Sequence, residues 1–273
     1  LNLTVGKIKA TLPTLPADEF PQTRSGELGA KIVLDPQEFR KALGRVQTAA
    51  STDQARPAMN SIRITSQDET VTLAATDGFR LHYATLPVYK PWDAVCWIYP
   101  LQAVKLLDGL LAATEQPVYL QALSHDEDSA LKIYSDNWEM FVPLVDAHYP
   151  DAEGVTPTQF KHSLIVSREE LVEAVETLKS LGGDAITLEV NQALTLTTTQ
   201  EEGGAIETKL EATDIQGEGE LKLKADPDFI SAALKVHNGQ KVCIQANRPT
   251  TPFVLTDPDD TSLKQVIMPR VVD

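Results

Sequence analysis

Two hydrophobic periods run along this chain. In four stretches, apolar residues return every three to four positions, the spacing of one buried helix face. Phe39, Leu43 and Val46 predict a helix over 36–50, and Val104, Leu107 and Leu111 one over 100–113. Leu171, Val175 and Leu178 predict a third over 167–181, and Phe229, Ile230, Ala233 and Leu234 a fourth over 226–236. The first should start at an Asp35 cap with Pro36 in its first turn, the third at a Ser167-Arg168-Glu169-Glu170 capping box. Between them, short β-branched runs at 70–74, 82–88, 118–122, 131–134, 187–190 and 194–198 predict strands. Residues 1–10 alternate apolar and polar and read as one further strand. Asp77-Gly78 lies between two of these runs and predicts a hairpin-type bend.

The pattern repeats. Helix starts near residues 36, 100, 167 and 226 are 64, 67 and 59 positions apart. One helix followed by several strands is the unit, and two units make a domain of about 129 residues. Leu15, Phe20 and Pro21 recur 129 positions later as Leu144, Tyr149 and Pro150, which reads as two equivalent connectors with proline fixing the exit direction. The expected fold is α+β, in tandem domains with their helices on one surface. An unrelated tandem of two α+β domains fits the same pattern.

Composition narrows the function. A chain of 273 residues accommodates two domains. No apolar run approaches the ~18 residues of a membrane span, and no secretory signal opens the chain. The first residue is Leu rather than Met, as in a fragment, a processed product or an excerpt. Cys96 and Cys243 belong to no CxxC or Cys/His cluster and read as buried free thiols of a reducing cytoplasm, with a disulfide as the alternative. The five histidines have no metal-ligand spacing, so neither a metal nor a cofactor is expected. A net charge of -15 argues against tight electrostatic binding of nucleic acid, but not against enclosure of it by a ring.

The most specific motif is Ala75-Thr76-Asp77-Gly78-Phe79-Arg80-Leu81. A turn explains Asp77 and Gly78 and gives Thr76, Phe79 and Arg80 no local role. The segment resembles a signature of the bacterial DNA polymerase III beta-subunit family, the sliding clamps. The resemblance runs along the whole chain. Residues 1–26 look like a remnant of the clamp's first domain with its exit connector, 27–156 like a middle domain and 157–273 like the C-terminal domain. Val266-Ile267-Met268-Pro269-Arg270-Val271-Val272 resembles the clamp tail. The resemblance implies a DNA-clamp fold, with two helices per domain packed on antiparallel sheets.

It also implies a cytoplasmic processivity factor that encircles double-stranded DNA. Such a clamp docks the replicative polymerase, an ATP-dependent clamp loader and repair proteins through short linear motifs. It forms a homo-oligomer ring if the first domain is present. With only 1–14 left of that domain, the 273-residue form is expected to be monomeric or weakly associating; a natural two-domain form closing as a trimer is the competing expectation. By matching motif, the peptide-binding cleft comprises Arg56, Met59, Thr76, Gly78, Phe79, Arg80, Leu81, Pro150, Val155, Val266, Met268, Pro269 and Arg270. The helices expected to face DNA carry Arg40, Lys41, Arg45, Lys105, Lys179 and Lys235. Pro57 and Ala58 stand where the family often has aromatics, and Arg270-Val271 reverses the usual order of apolar and basic residues, so peptide preference is expected to differ.

Nothing points to catalysis. There is no GxxxxGK[ST] loop, so ring opening would need a separate ATPase, and no GxSxG or Ser/His/Asp set in context. Asp257, Asp259 and Asp260 read most simply as a solvated turn, with a metal-dependent nuclease as the enzyme alternative. A peptide-binding scaffold that does not encircle DNA is the alternative from another class.

Overall fold

Asp35, Ser167 and Asp226 cap three of the four predicted helices at the register the pattern sets, whereas the helix near residue 100 starts without a side-chain cap. The structure is a computed structural model and describes residues 1–16, 26–89, 94–125, 128–199, 203–217 and 220–270. Strands β1 (Asn2–Val5) and β2 (Ile8–Thr11) form a separate exposed hairpin. The expected single strand is broken because Gly6 turns the chain at φ 59°.

A first complete unit follows: β3 (Glu27–Leu34), α1 (Pro36–Gln47), β4 (Ser61–Gln67), β5 (Thr70–Thr76), β6 (Arg80–Pro87), β7 (Val95–Pro100), α2 (Val104–Ala112), β8 (Val118–His125), β9 (Asp128–Ser135) and β10 (Trp138–Pro143). A short helix, α3 (Ala152–Val155), has no counterpart in the sequence reading; Asp151 caps it by accepting from the Gly154 amide at 3.0 Å. The second unit runs β11 (His162–Ser167), α4 (Arg168–Ser180), β12 (Ile186–Val190), β13 (Leu194–Thr199), β14 (Ala205–Leu210), β15 (Ala212–Gln216), β16 (Leu221–Ala225), α5 (Pro227–Lys235), β17 (Lys241–Ala246), β18 (Phe253–Asp257) and β19 (Asp260–Ile267).

The caps act as the sequence predicts. Asp35 Oδ1 accepts from the Gln37 and Glu38 amides at 2.9 Å, and Ser167 Oγ from Glu170 at 3.4 Å. The 100–113 segment begins as a 3-10 turn over Leu101–Ala103 before α2 proper. Phe39, Leu43, Val46, Leu107 and Leu111 enter one core, and Leu171, Val175, Leu178, Ile230 and Leu234 a second.

The two units share a strand order. The sheet β10-β9-β8-β3 corresponds to β19-β18-β17-β11, and β6-β5-β4-β7 to β14-β13-β12-β16. In each, the two helices pack on each other, α1 on α2 and α4 on α5. The units fuse where β6, an edge strand of the first, pairs antiparallel with β19, an edge strand of the second. The result is one nine-stranded sheet, β15-β11-β17-β18-β19-β6-β5-β4-β7. Edge pairing of this kind satisfies backbone groups that would otherwise template aggregation.

Two expectations are corrected. Cys96 is exposed, on the outward side of the edge strand β7, and Cys243 is only half-buried; both are free. The Asp257–Asp260 hairpin is not merely solvated. Asp257 is buried, accepting from the Gly239 and Asp259 amides at 3.0 and 2.9 Å, because the β18–β19 turn leans on the loop after α5. Asp260 reaches across to α1, as described below. Of the paired connectors, Phe20 and Pro21 lie outside the described residues.

Candidate functional site

The Thr76–Leu81 turn is held by its own side chains. Asp77 Oδ1 accepts from the Phe79 and Arg80 amides at 2.9 and 3.0 Å, and its Oδ2 from Arg80 Nε at 2.9 Å. Thr76 Oγ1 donates to the Arg80 carbonyl at 2.6 Å and accepts from the Gly78 amide at 3.0 Å. Gly78 sits at φ 96°, a conformation that side chains disfavour, with the Met59 thioether close to where a Cβ would lie. Thr76, without a local role in the sequence, is therefore buried as the internal brace of the turn.

The bracing projects Phe79 outward, 60% exposed. Beside it runs the end of β19. Leu81 faces Val266 across the seam, and Arg80 faces Ile267. Leu81 and Val266 are buried with Ala74, Ala152 and Val254 in a third, smaller core, so they floor this surface rather than line its mouth. Beyond Ile267 the chain leaves the sheet. The Met268 amide donates to the Phe79 carbonyl at 2.8 Å, leaving Met268 39% exposed next to the turn. Pro269 is half-buried, and Arg270 is pinned by its amide to the Lys224 carbonyl at 2.7 Å and by its guanidinium to Asp226 at 2.5 Å. Val271 and Val272 lie outside the described residues.

The connector closes another side. Tyr149 is buried and donates to the Ala74 carbonyl at 3.1 Å, and the Arg63 guanidinium lies 5.2 Å from the Tyr149 ring centroid. Arg63 also grips Glu153 on α3, with one contact at 3.1 Å. Burial opposes the Arg63 charge, yet Glu153 more than offsets it and the pKa is raised; Arg63 in turn holds the Glu153 carboxyl below its usual range. The Tyr83 hydroxyl lies 3.0 Å from Thr156 Oγ1, and burial pushes its pKa up to about 12. These contacts fix Pro150 and leave Val155 exposed on α3. Arg56 stands exposed on the preceding loop, 3.5 Å from Asp53.

Sequence reasoning missed Phe229 and Asp226, at the start of α5. Arg80 stacks 4.7 Å over the Phe229 ring, and Asp226 both caps α5 and holds Arg270. The signal available was the fourth helix's cap, read only as a helix start. The site combines exposed Phe79 and Met268 with the held guanidiniums of Arg80 and Arg270. Cavities of about 470 and 730 Å³ lie elsewhere, beside Cys96 and against the first turn of α4, and one of about 460 Å³ lies beside the 52–61 loop that carries Arg56 and Met59.

The helix cations divide into two sets. Arg45 is corrected outright: it is buried, 5% exposed, with its guanidinium on Asp260 at 2.5 Å and on Ser262 Oγ at 2.8 Å. It bridges α1 to β19 because the seam brings that hairpin under the helix. Arg40 is engaged by Asp108 at 2.7 Å and Lys179 by Asp228 at 2.5 Å. Lys41, Lys105 and Lys235 are exposed and make no ion pair among the described residues. No cluster of metal-ligating side chains occurs among the described residues. No described helix is long and apolar enough to cross a membrane.

Comparison with known proteins agrees with this architecture. Residues 33–151 match the family model of the DNA polymerase III beta subunit's central domain, and residues 153–271 that of its C-terminal domain. The beta sliding clamp of Staphylococcus epidermidis is 23% identical over 272 residues, 98% of this chain and 71% of that protein. The crystal structure of the Thermotoga maritima DNA polymerase III beta subunit superimposes with TM-score 0.87 at 24% identity, over 100% of this chain and 74% of that one. The Bacillus subtilis DNA polymerase sliding clamp gives TM-score 0.89 at 22% identity, over 100% of this chain and 72% of that one. With the central and C-terminal domain models matched in order along its length, the chain belongs to the DNA polymerase III beta-subunit family, the beta sliding clamps.

Proposed function

We propose that the chain serves as a DNA sliding clamp, a non-catalytic processivity factor that docks proteins bearing short linear motifs. The observation that carries the docking half is the seam. Pairing of β6 with β19 sets exposed Phe79 beside exposed Met268, over a buried floor of Leu81 and Val266. Exposed aromatic and Met side chains over a rigid sheet suit capture of an apolar peptide anchor. By matching motif, Arg56, Met59, Pro150, Val155, Pro269 and Arg270 complete the proposed cleft, with Phe229, stacked under Arg80, added on the α5 side. The middle domain spans 27–156 and the C-terminal domain 157–273. The partners are duplex DNA, a replicative polymerase and an ATP-dependent loader, in the cytoplasm.

DNA is held by enclosure, with Lys41, Lys105 and Lys235 as helix cations that make no ion pair among the described residues. The net charge of -15 and the acids matched to Arg40, Arg45 and Lys179 favour a second reading, a peptide-binding scaffold that never encircles DNA. Loading onto nicked circular DNA by a clamp loader separates them. A clamp stays on circles and slides off linearised DNA. A scaffold binds the peptide and is retained on neither.

A further inference from the structure

Arg56, Arg63, Arg80 and Arg270 belong to or contact the segments from which the docking surface is read, and each meets an acid of the chain. Arg56 lies 3.5 Å from Asp53, and Arg80 2.9 Å from Asp77. Arg63 grips Glu153, and Arg270 lies 2.5 Å from Asp226. Beside the apolar anchors offered to a bound peptide, each of these four guanidiniums is thus compensated. These pairs are unequal in their other duties. Asp77 braces the turn and Glu153 ties down α3, so their loss would disturb the scaffold. Asp226 divides its oxygens: Oδ1 accepts from the Asp228 amide at 2.9 Å to cap α5, while Oδ2 meets Arg270. Arg270 is half-exposed and its backbone is independently fixed on Lys224. Its position in the tail therefore does not depend on the ion pair, but its availability to a ligand does.

We propose that Asp226 is a specificity-determining positioning residue, which neutralises Arg270 and so keeps the surface selective for linear motifs with uncharged flanks. The inference rests on the docking reading of the same surface. An acidic flank gains nothing from Arg270 while Asp226 holds it.

Asp226→Asn isolates the effect, because Asn caps a helix as well as Asp does and only the charge is lost. Two labelled peptides carry the same Gln-Leu plus hydrophobic pair, flanked on both sides by Ser in one and by Glu in the other. Their affinities for the full chain are compared by fluorescence anisotropy at low and high salt. The variant is expected to raise the Glu-to-Ser affinity ratio about 3- to 5-fold at low salt. High salt erases that gain by screening, and adding Arg270→Ala removes it. An unchanged ratio overturns the proposal. Equal loss of both peptides also overturns it, leaving Asp226 as a cap alone. If the unmodified chain binds neither peptide, the docking reading itself fails.

Discussion

The Met268 amide donates a 2.8 Å hydrogen bond to the Phe79 carbonyl, one step beyond the last paired residues of the β6–β19 ladder. Residues 189 positions apart in the chain are thereby held as neighbours on the surface. Their relative position is set by backbone rather than by side-chain packing, so each side chain can be truncated without moving the other.

Phe79→Ala and Met268→Ala should each weaken a Gln-Leu-type peptide by about 5- to 30-fold, because few anchors dominate a small interface. The starting affinity is expected to be micromolar, about -8 kcal/mol. Truncation after Ile267 should abolish binding. Titration curves that do not change would move the site elsewhere.

Leu81→Ala should act differently. Leu81 is buried against Val266 and Val254, so its loss should cost about 2–5 kcal/mol of stability through transfer and cavity terms. Urea denaturation measures this directly. A cost below about 1 kcal/mol would mean that the seam repacks around the gap.

His82 makes stability depend on pH. It is fully buried between α1 and the seam, and its Nδ1 lies 3.1 Å from the Arg45 carbonyl, which can only accept, so Nδ1 carries the proton. Burial lowers its pKa to about 3, with Arg80 and His237 adding to the effect. In the unfolded chain a histidine titrates near 6.5. The unfolded state thus binds the proton first, and stability falls as pH drops from about 6.5 toward 3, by up to ~1.4 kcal/mol per pH unit. Denaturation midpoints at pH 7 and pH 5 should diverge, and His82→Asn should flatten the difference. Equal slopes in both proteins would assign the acid sensitivity to other groups.

The Arg45–Asp260 pair ties α1 to the β18–β19 hairpin and so joins the two units. Burial raises the Asp260 pKa, but bonds from Ser262 and Arg45 overcome it and bring it down to about 2. A depressed carboxylate contributes stability above its unfolded value near 4, and that contribution is lost as pH falls toward 2. Asp260→Asn leaves Arg45 buried and should cost about 3 kcal/mol at neutral pH. A loss under about 0.5 kcal/mol would show that Ser262 and solvent satisfy the guanidinium.

Helix positions, their caps and the strand runs were legible because they depend on neighbours within a few residues. Asp35 caps α1, Asp77-Gly78 turns the chain, and Phe39, Leu43 and Val46 are buried as their spacing requires. The repeat of helix and strands was legible for the same reason, since each unit restates one local pattern. The motif over 75–81 also marked the turn that carries Phe79.

Only the tertiary structure decided how the units meet and what each charge does. Edge strands β6 and β19 carry no local label of their partner, because strand pairing is specified by burial on both faces of the finished sheet. That pairing buried Leu81 and Val266, brought Met268 to Phe79, and placed the Asp260 hairpin under Arg45. Arg45 reads as a solvent-facing helix cation next to Arg40 and Lys41, yet its environment is supplied by residues more than two hundred positions away. Sequence spacing determines which helix face a side chain occupies. What lies opposite that face is a long-range contact, and it alone settled that Arg40, Arg45 and Lys179 are held by acids while Lys41, Lys105 and Lys235 make no ion pair among the described residues.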